Sequence, residues 1–363
     1  MSSDTTNKTA QALRVVGLPG DGVGPEVYQS ACQILAVMDE LFDLPIELDE
    51  QLIGGAAVDA TGTPLPQATI DACKSADAAL LGAVGGPKWD KHPAGQRPEL
   101  GLLKIRSEFN LFCNLRPIVT HPSLHEFSPL RPERLENVDL MIVRELTGGI
   151  YFGKKWRDAD QAEDVCRYTR SEIERVTRAA GRLAHQRKGQ ITMVDKANVL
   201  ETSRLWREVV SRVLEDEFPD ISLENLLVDA AAMHLLTRPA DFDVILTENL
   251  FGDILSDEAS MLCGSMGLLP SASLSDDRFG LYEPIHGSAP DIAGQGKANP
   301  YAMLLSVAMM LRHSLDRANE ADALEQSIHQ CWDEGILTPD LVPGGYSTAQ
   351  VTDAVCERMR NSK

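Results

Sequence analysis

Short aliphatic runs alternate with amphipathic stretches along nearly the whole chain. Residues 13–18 (Leu-Arg-Val-Val-Gly-Leu) read as a first strand, and further strand-like runs fall at 78–81, 111–115, 140–143, 191–194, 226–228 and 244–246. Between them the apolar positions recur at the spacing of a helix face, for instance over 26–41, 171–187, 203–217 and 301–311. Pro25 sits where the first of these helices begins, a position at which its missing N–H costs nothing. The alternation predicts an α/β fold built around a largely parallel sheet. Residues 153–170 are the most polar interruption and read as a loop or an arm reaching toward a partner.

Several of the predicted strands end in charge. Arg144 follows Val143, Asp195 and Lys196 follow Val194, Asp229 follows Val228, and the strand ending at Leu246 leads on to Asp253. Ligands of open α/β sheets bind beyond the carboxyl ends of strands, so these groups together point to one site. Asp253 and Asp257 stand four residues apart, which puts both carboxylates on one face if the segment is helical. Like charges at that spacing repel by roughly 0.2–0.5 kcal/mol even when exposed. A divalent cation that favours hard oxygen donors, Mg²⁺ or Mn²⁺, removes the conflict. A helical first turn whose acids complement the dipole explains the spacing equally well.

Composition narrows the class. A chain of 363 residues exceeds what one core usually fills, so two domains are expected. The net charge of −20 argues against nucleic acid as a partner, because phosphate binding needs a basic face. It also makes the few well-placed arginines informative. The seven cysteines form no CxxC and no zinc spacing, a pattern of reduced thiols that suits the cytoplasm. No apolar run approaches the ~18 residues needed to span a bilayer, so no membrane role is expected. Residues 1–10 lack an apolar signal core and read as a frayed tail. The glycines of 20–24 lack GxGxxG spacing, and no Walker loop occurs, so neither standard nucleotide signature applies.

The run from Asn249 to Ala259 (Asn-Leu-Phe-Gly-Asp-Ile-Leu-Ser-Asp-Glu-Ala), followed by Gly264-Ser-Met-Gly-Leu-Leu-Pro270, resembles the signature of the isocitrate/isopropylmalate dehydrogenase family. Similar matches cover nearly the whole chain. The resemblance implies that family's two-domain α/β fold with a largely parallel central sheet, which is not a Rossmann fold. Residues 1–111 plus 264–363 would form a discontinuous cofactor-side domain, and 112–263 a metal-bearing, dimer-forming domain. It implies a homodimer with active sites shared between subunits. Asp253 and Asp257, joined by Asp229 of the other subunit, would hold the metal.

The same resemblance places Arg106, Arg116 and Arg144 around a small dicarboxylic acid, which suits the bidentate fit of guanidinium to carboxylate. Lys196 would be the base, contributed by the neighbouring subunit, and Tyr151 would supply a proton. Glu99, Leu102 and Leu103, with Val199 of the partner, correspond to the pocket for an isopropyl group, where isocitrate enzymes carry small polar residues. The stretch carrying Glu283, His286, Gly287, Ser288, Ala289, Pro290, Asp291 and Asn299 is similar to the family's adenosine loop. An acid at Asp291 can accept from ribose hydroxyls and would repel a 2′-phosphate, which favours NAD. Gly85, Gly86, Pro87 and Lys88 resemble the loop near the nicotinamide. The implied activity is NAD-dependent oxidative decarboxylation of 3-isopropylmalate to 4-methyl-2-oxopentanoate and CO₂ in leucine biosynthesis. Homoisocitrate, isocitrate, tartrate and malate are the alternative substrates, and a non-catalytic small-molecule binder is the rival class.

Overall fold

The computed structural model describes residues 12–361, so the expected tail at 1–10 lies outside the described residues. The chain runs β1 (Leu13–Gly20), α1 (Gly24–Phe42), β2 (Ile46–Glu50), α2 (Gly54–Thr61), α3 (Gln67–Lys74), β3 (Ala78–Ala83), α4 (Glu99–Glu108), β4 (Cys113–Val119) and β5 (Asp139–Glu145). It continues through β6 (Lys155–Arg157), β7 (Ala162–Asp164), α5 (Arg170–His185), β8 (Gln190–Asp195), α6 (Glu201–Glu217), β9 (Ser222–Leu227), α7 (Val228–Thr237), β10 (Val244–Thr247) and α8 (Asn249–Ser260). It closes with β11 (Pro270–Leu274), β12 (Gly280–Pro284), α9 (Tyr301–His313), α10 (Ala318–Asp333) and α11 (Thr348–Asn361).

One ten-stranded sheet organises the molecule, in the order β2-β1-β3-β12-β11-β4-β5-β10-β8-β9. Its two flanks are parallel, and the centre, β12-β11-β4-β5, is antiparallel. Strands covered by helices on both faces bury every residue, as β3 and β10 do. Of the edge strands, β2 is largely and β9 half exposed instead, and neither buries a residue. Helix α9 buries ten of its thirteen residues, which makes it a core helix and not an amphipathic cover. Helix α5 opens with a capping box in which Thr169 and Glu172 satisfy each other's backbone N–H groups. Among the described residues, no helix is long and apolar enough to cross a membrane.

The parallel sheet, the early strand, and the helices after Pro25 and after Pro300 follow the expected pattern. Three local readings change. The run at 111–115 becomes a strand that starts only at Cys113, because Leu111 donates its N–H to Arg106 and closes α4. The run at 226–228 is the end of β9, and Val228 opens α7, so Asp229 sits in a first helical turn. The polar stretch 153–170 contains the two-stranded β6–β7 ribbon, whose six strand residues are all exposed. Its turn is held by Asp158, which accepts from the N–H groups of Asp160 and Gln161.

Strands β5, β10, β8 and β9 are mutually parallel, so their carboxyl ends share one edge of the sheet. That edge carries Arg144, Lys196, Asp229 and the start of α8. In the antiparallel centre, Asn114 of β4 lies opposite Ser273 of β11 on one side and Arg144 of β5 on the other. A polar stripe therefore crosses the middle of an otherwise apolar sheet.

Candidate active site

Three buried arginines build the site, each held by a different element. Arg144, at the end of β5, is 2% exposed. Its Nε and Nη2 donate to Oδ1 of Asn249 at 3.1 and 2.8 Å, and its Nη1 donates to Oδ1 of Asp253 at 2.5 Å. The side chain lies flat against α8 because residue 252 is glycine: a Cβ there would come within 2.7 Å of the arginine's Cγ. Arg116, in β4, donates from Nε to Asn114 at 2.9 Å and from Nη1 to Ser256 at 2.5 Å. Its guanidinium also stands 3.7 Å from Asp253 and 3.5 Å from Asp257. Arg106, in the last turn of α4, pairs with Glu283 at the end of β12 at 2.8 Å.

Helix α8 presents Asp253 and Asp257 four residues apart on one face, as the spacing required. Their environments differ. Burial pushes Asp253 up, but Arg144 and the Tyr151 hydroxyl, which donates at 2.7 Å, outweigh it and hold the carboxyl below its usual range. Burial pushes Asp257 up, and Asp253 adds to the shift, while its side chain stays half exposed. Burial also pulls Arg116 down, and pulls Arg144 to about 10 with help from Arg116. Buried cations this close repel, so the cluster is built to receive further negative charge.

These groups, apart from Asp257, line a cleft of about 440 Å³. Arg106, Arg116, Arg144, Tyr151 and Asp253 face it, and Glu99, Leu102 and Leu103 form part of its wall, with Glu283, His286 and Gly287 at its rim. Nε2 of His286 is buried with no hydrogen-bond partner, while Nδ1 meets the carbonyl of Gly287 at 2.9 Å. The loop that follows is tied to the glycine turn after β1: Val23 donates to the carbonyl of Ser288 at 2.8 Å, and Glu26 accepts from the N–H groups of Gly294 and Gly296. Ala289 adopts a positive φ of 36°, Pro290 and Asp291 are exposed, and Asn299 is committed inward, accepting from Tyr301 at 3.0 Å and donating to Asp340 at 3.1 Å. Gly85 and Gly86 hold φ of 108° and 150°, a region that favours glycine, and Gly85 donates to Asp21 at 2.9 Å. Pro87 starts a short helical turn, and Lys88 pairs with Asp59 at 2.6 Å.

Lys196, Val199 and Asp229 do not line this cleft. Lys196 and Asp229 form an ion pair with each other across the ends of β8 and β9, which holds the Asp229 carboxyl below its usual range. Val199 is 64% exposed nearby in sequence. Among the described residues no three acidic, histidine or cysteine side chains gather to hold a metal. Two hard carboxylates on one helix face fit a divalent cation in donor type.

Sequence reasoning missed the polar groups that fix the arginines: Asn114, Asn249, Ser256 and Ser271. Asn114 donates to Ser271 and Ser273 at 2.8 and 3.1 Å, which locks the carbonyl that receives Arg116. An asparagine two residues before an arginine in a strand, facing the same way, is the signal that could have found it. Asp21 was also missed. It gathers the N–H groups of Gly55, Ala56 and Gly85 and so fixes the glycine loop.

The fold and site define an α/β protein whose cleft sets three buried arginines beside a pair of carboxylates on a helix. A sequence profile described as isocitrate/isopropylmalate dehydrogenase matches residues 14–355. Proteins named 3-isopropylmalate dehydrogenase are similar over most of their length: that of Bacillus subtilis is 54% identical over 350 residues (94% of this chain, 96% of that one), and that of Rhodopirellula baltica 52% over 343 residues (93% and 96%). Among solved structures, isocitrate dehydrogenase from Methylococcus capsulatus superposes with a TM-score of 0.86 at 34% identity, covering 96% of this chain and 99% of that one. A beta-decarboxylating dehydrogenase from Thermococcus kodakarensis gives 0.79 at 33%, covering 96% of each. The chain belongs to the isocitrate/isopropylmalate dehydrogenase family.

Proposed function

We propose that the protein oxidises and decarboxylates (2R,3S)-3-isopropylmalate with NAD, yielding 4-methyl-2-oxopentanoate, CO₂ and NADH in leucine biosynthesis. The observation that carries this reading is the pairing, in one cleft, of three buried arginines with the apolar wall of Leu102 and Leu103. Arginines suit the two carboxylates of a malate unit, and leucines suit a branched alkyl group but offer nothing to a third carboxylate. Relatives named 3-isopropylmalate dehydrogenase, more than half identical, support the same substrate.

In this reading Arg106, Arg116 and Arg144 orient the acid, and Asp253 and Asp257, with Asp229 of a second copy, would hold Mg²⁺ or Mn²⁺. When bound, the metal supplies a Lewis acid at the substrate's C2 oxygen, and NAD supplies the hydride acceptor. Lys196 of the second copy takes the C2 hydroxyl proton as hydride leaves C2. The carboxyl group β to the new carbonyl then departs as CO₂, leaving its bonding electrons on the enolate carbon. Tyr151, pushed up to about 12 by burial and by Asp253, keeps its proton at neutral pH and donates it to that carbon.

A second copy also explains the exposed apolar side chains Met233 and Leu236 on α7, Ile254 on α8 and Met261 just after it, which a homodimer interface would cover. NAD is favoured over NADP by Asp291, exposed in its loop. The sheet's two flanks would belong to separate domains, residues 112–263 forming the metal-bearing one. All seven cysteines are free, which suits the cytoplasm. The test is turnover of 3-isopropylmalate, homoisocitrate, isocitrate, tartrate and malate with NAD and Mg²⁺. The first should give the highest kcat/KM, and a preference for isocitrate would overturn the reading of the leucine wall.

A further inference from the structure

We propose that Asn249 is a positioning residue that keeps Arg144 aimed and fully charged while Asp253 changes partners; the proposal rests on the function proposed above. Asn249 is the first residue of α8 and is fully buried. Its carbonyl oxygen takes two of the guanidinium's donors, from Nε and Nη2. Its Nδ2 donates to the carbonyl of Gly148 at 3.2 Å, at the start of the turn that presents Tyr151. Its own backbone N–H is held by the hydroxyl of Tyr168 at 3.0 Å. One carboxamide thus ties the substrate-binding arginine, the tyrosine turn and the metal-bearing helix together.

The reason an amide stands there follows from what lies one helical turn further on. Asp253 also binds both functional groups, Arg144 through Oδ1 and Tyr151 through Oδ2. Those are the same oxygens that a divalent cation would draw on, so Asp253 cannot serve as a permanent anchor. Asn249 has no such second duty. It is also uncharged, so it holds the guanidinium without cancelling the charge that attracts a carboxylate. Nη1, bound here to Asp253, is then released and, with the second N–H of Nη2, makes the bidentate contact to the acid.

Two variants test this, with the wild type measured beside them on whichever 2-hydroxy acid it turns over best. Asn249→Ala removes the anchor, and Asn249→Asp keeps the shape but adds a negative charge against Arg144. In Asn249→Ala, kcat/KM for the acid should fall about a hundredfold, the scale of a roughly 1 Å misplacement of a positioning group. KM for NAD should stay unchanged in both variants. Calorimetric binding of the acid with Mg²⁺ but without NAD should weaken at least about tenfold in Asn249→Asp. Wild-type-like acid binding and kcat/KM in the two variants would overturn the proposal. So would parallel losses for acid and NAD, which mark a merely structural role, and the isosteric aspartate keeps the result readable if the alanine variant fails to fold. A wrong substrate assignment shows in the wild type alone, so the two failures are separable.

Discussion

Replacing Arg144 by methionine separates recognition from folding, because its effects on the two differ in size. The side chain is 2% exposed and bound through all three of its nitrogens, to Asn249 and Asp253. A hydrogen bond to a charged group is worth about 1.5–3 kcal/mol, so losing a bidentate contact to the acid costs about 3–6 kcal/mol. At about 1.4 kcal/mol per tenfold, kcat/KM should fall by roughly 10²–10⁴. Breaking a buried ion pair commonly destabilises by about 3–5 kcal/mol. Here the cost is lower. Arg116 lies 3.7 Å from the same Asp253 oxygen, and the repulsion between Arg116 and Arg144 disappears. Stability should drop by no more than about 2 kcal/mol, since Asp253 keeps a cationic partner. Steady-state NADH formation and urea unfolding measure the two quantities on one preparation. A variant within about tenfold of wild type in kcat/KM would refute the role assigned to this arginine.

Lys196→Ala should abolish turnover while unfolding shifts by less than about 1 kcal/mol, because its partner Asp229 is exposed and Lys196 itself only partly buried. If the lysine acts across subunits, co-expressing Lys196→Ala with Asp253→Asn chains restores activity through mixed dimers; no recovery would place both groups in one subunit's site. Changing Leu102 and Leu103 together to serine should lower kcat/KM for 3-isopropylmalate roughly 10–200-fold, with malate affected far less. An equal loss for both acids would remove the alkyl pocket. His313 is pulled down to about 4 by burial and by Arg312, so the folded chain stays neutral there while the unfolded chain takes up a proton. Its contribution is complete above the unfolded value of about 6.5 and is lost as pH falls toward 4, a change of about 3 kcal/mol. Urea unfolding of His313→Gln should therefore depend less on pH across that window than wild type, and an identical slope would contradict the assignment.

The parallel flanks were legible because doubly covered strands are continuous aliphatic runs, as at residues 78–83 and 244–247. In the antiparallel centre, β4 and β5 were legible as the runs at 111–115 and 140–143, but β11 and β12 were not. Strand β11 reads Pro-Ser-Ala-Ser-Leu and β12 Gly-Leu-Tyr-Glu-Pro, short segments whose proline, glycine and serine resemble turn residues. Edge strand β2, Ile-Glu-Leu-Asp-Glu, is mostly exposed and carries little hydrophobic signal. Within the site, the spacing of Asp253 and Asp257 and the charges at strand ends could be read directly. Asn114, Asn249 and Ser256 could not, because their importance lies in gripping arginines distant in sequence. Lys196 and Asp229 stood out as charges at strand ends but took their roles from resemblance, and a single chain leaves them outside the cleft.

The most direct test of the whole account is the stoichiometry and metal requirement of the reaction with 3-isopropylmalate. NADH and CO₂ should appear in equal amounts, stop when EDTA removes divalent ions, and resume when Mg²⁺ or Mn²⁺ is returned in excess. Undiminished NADH formation in the metal-stripped protein would contradict the role given to the α8 carboxylates, and NADH without CO₂ would contradict the decarboxylation.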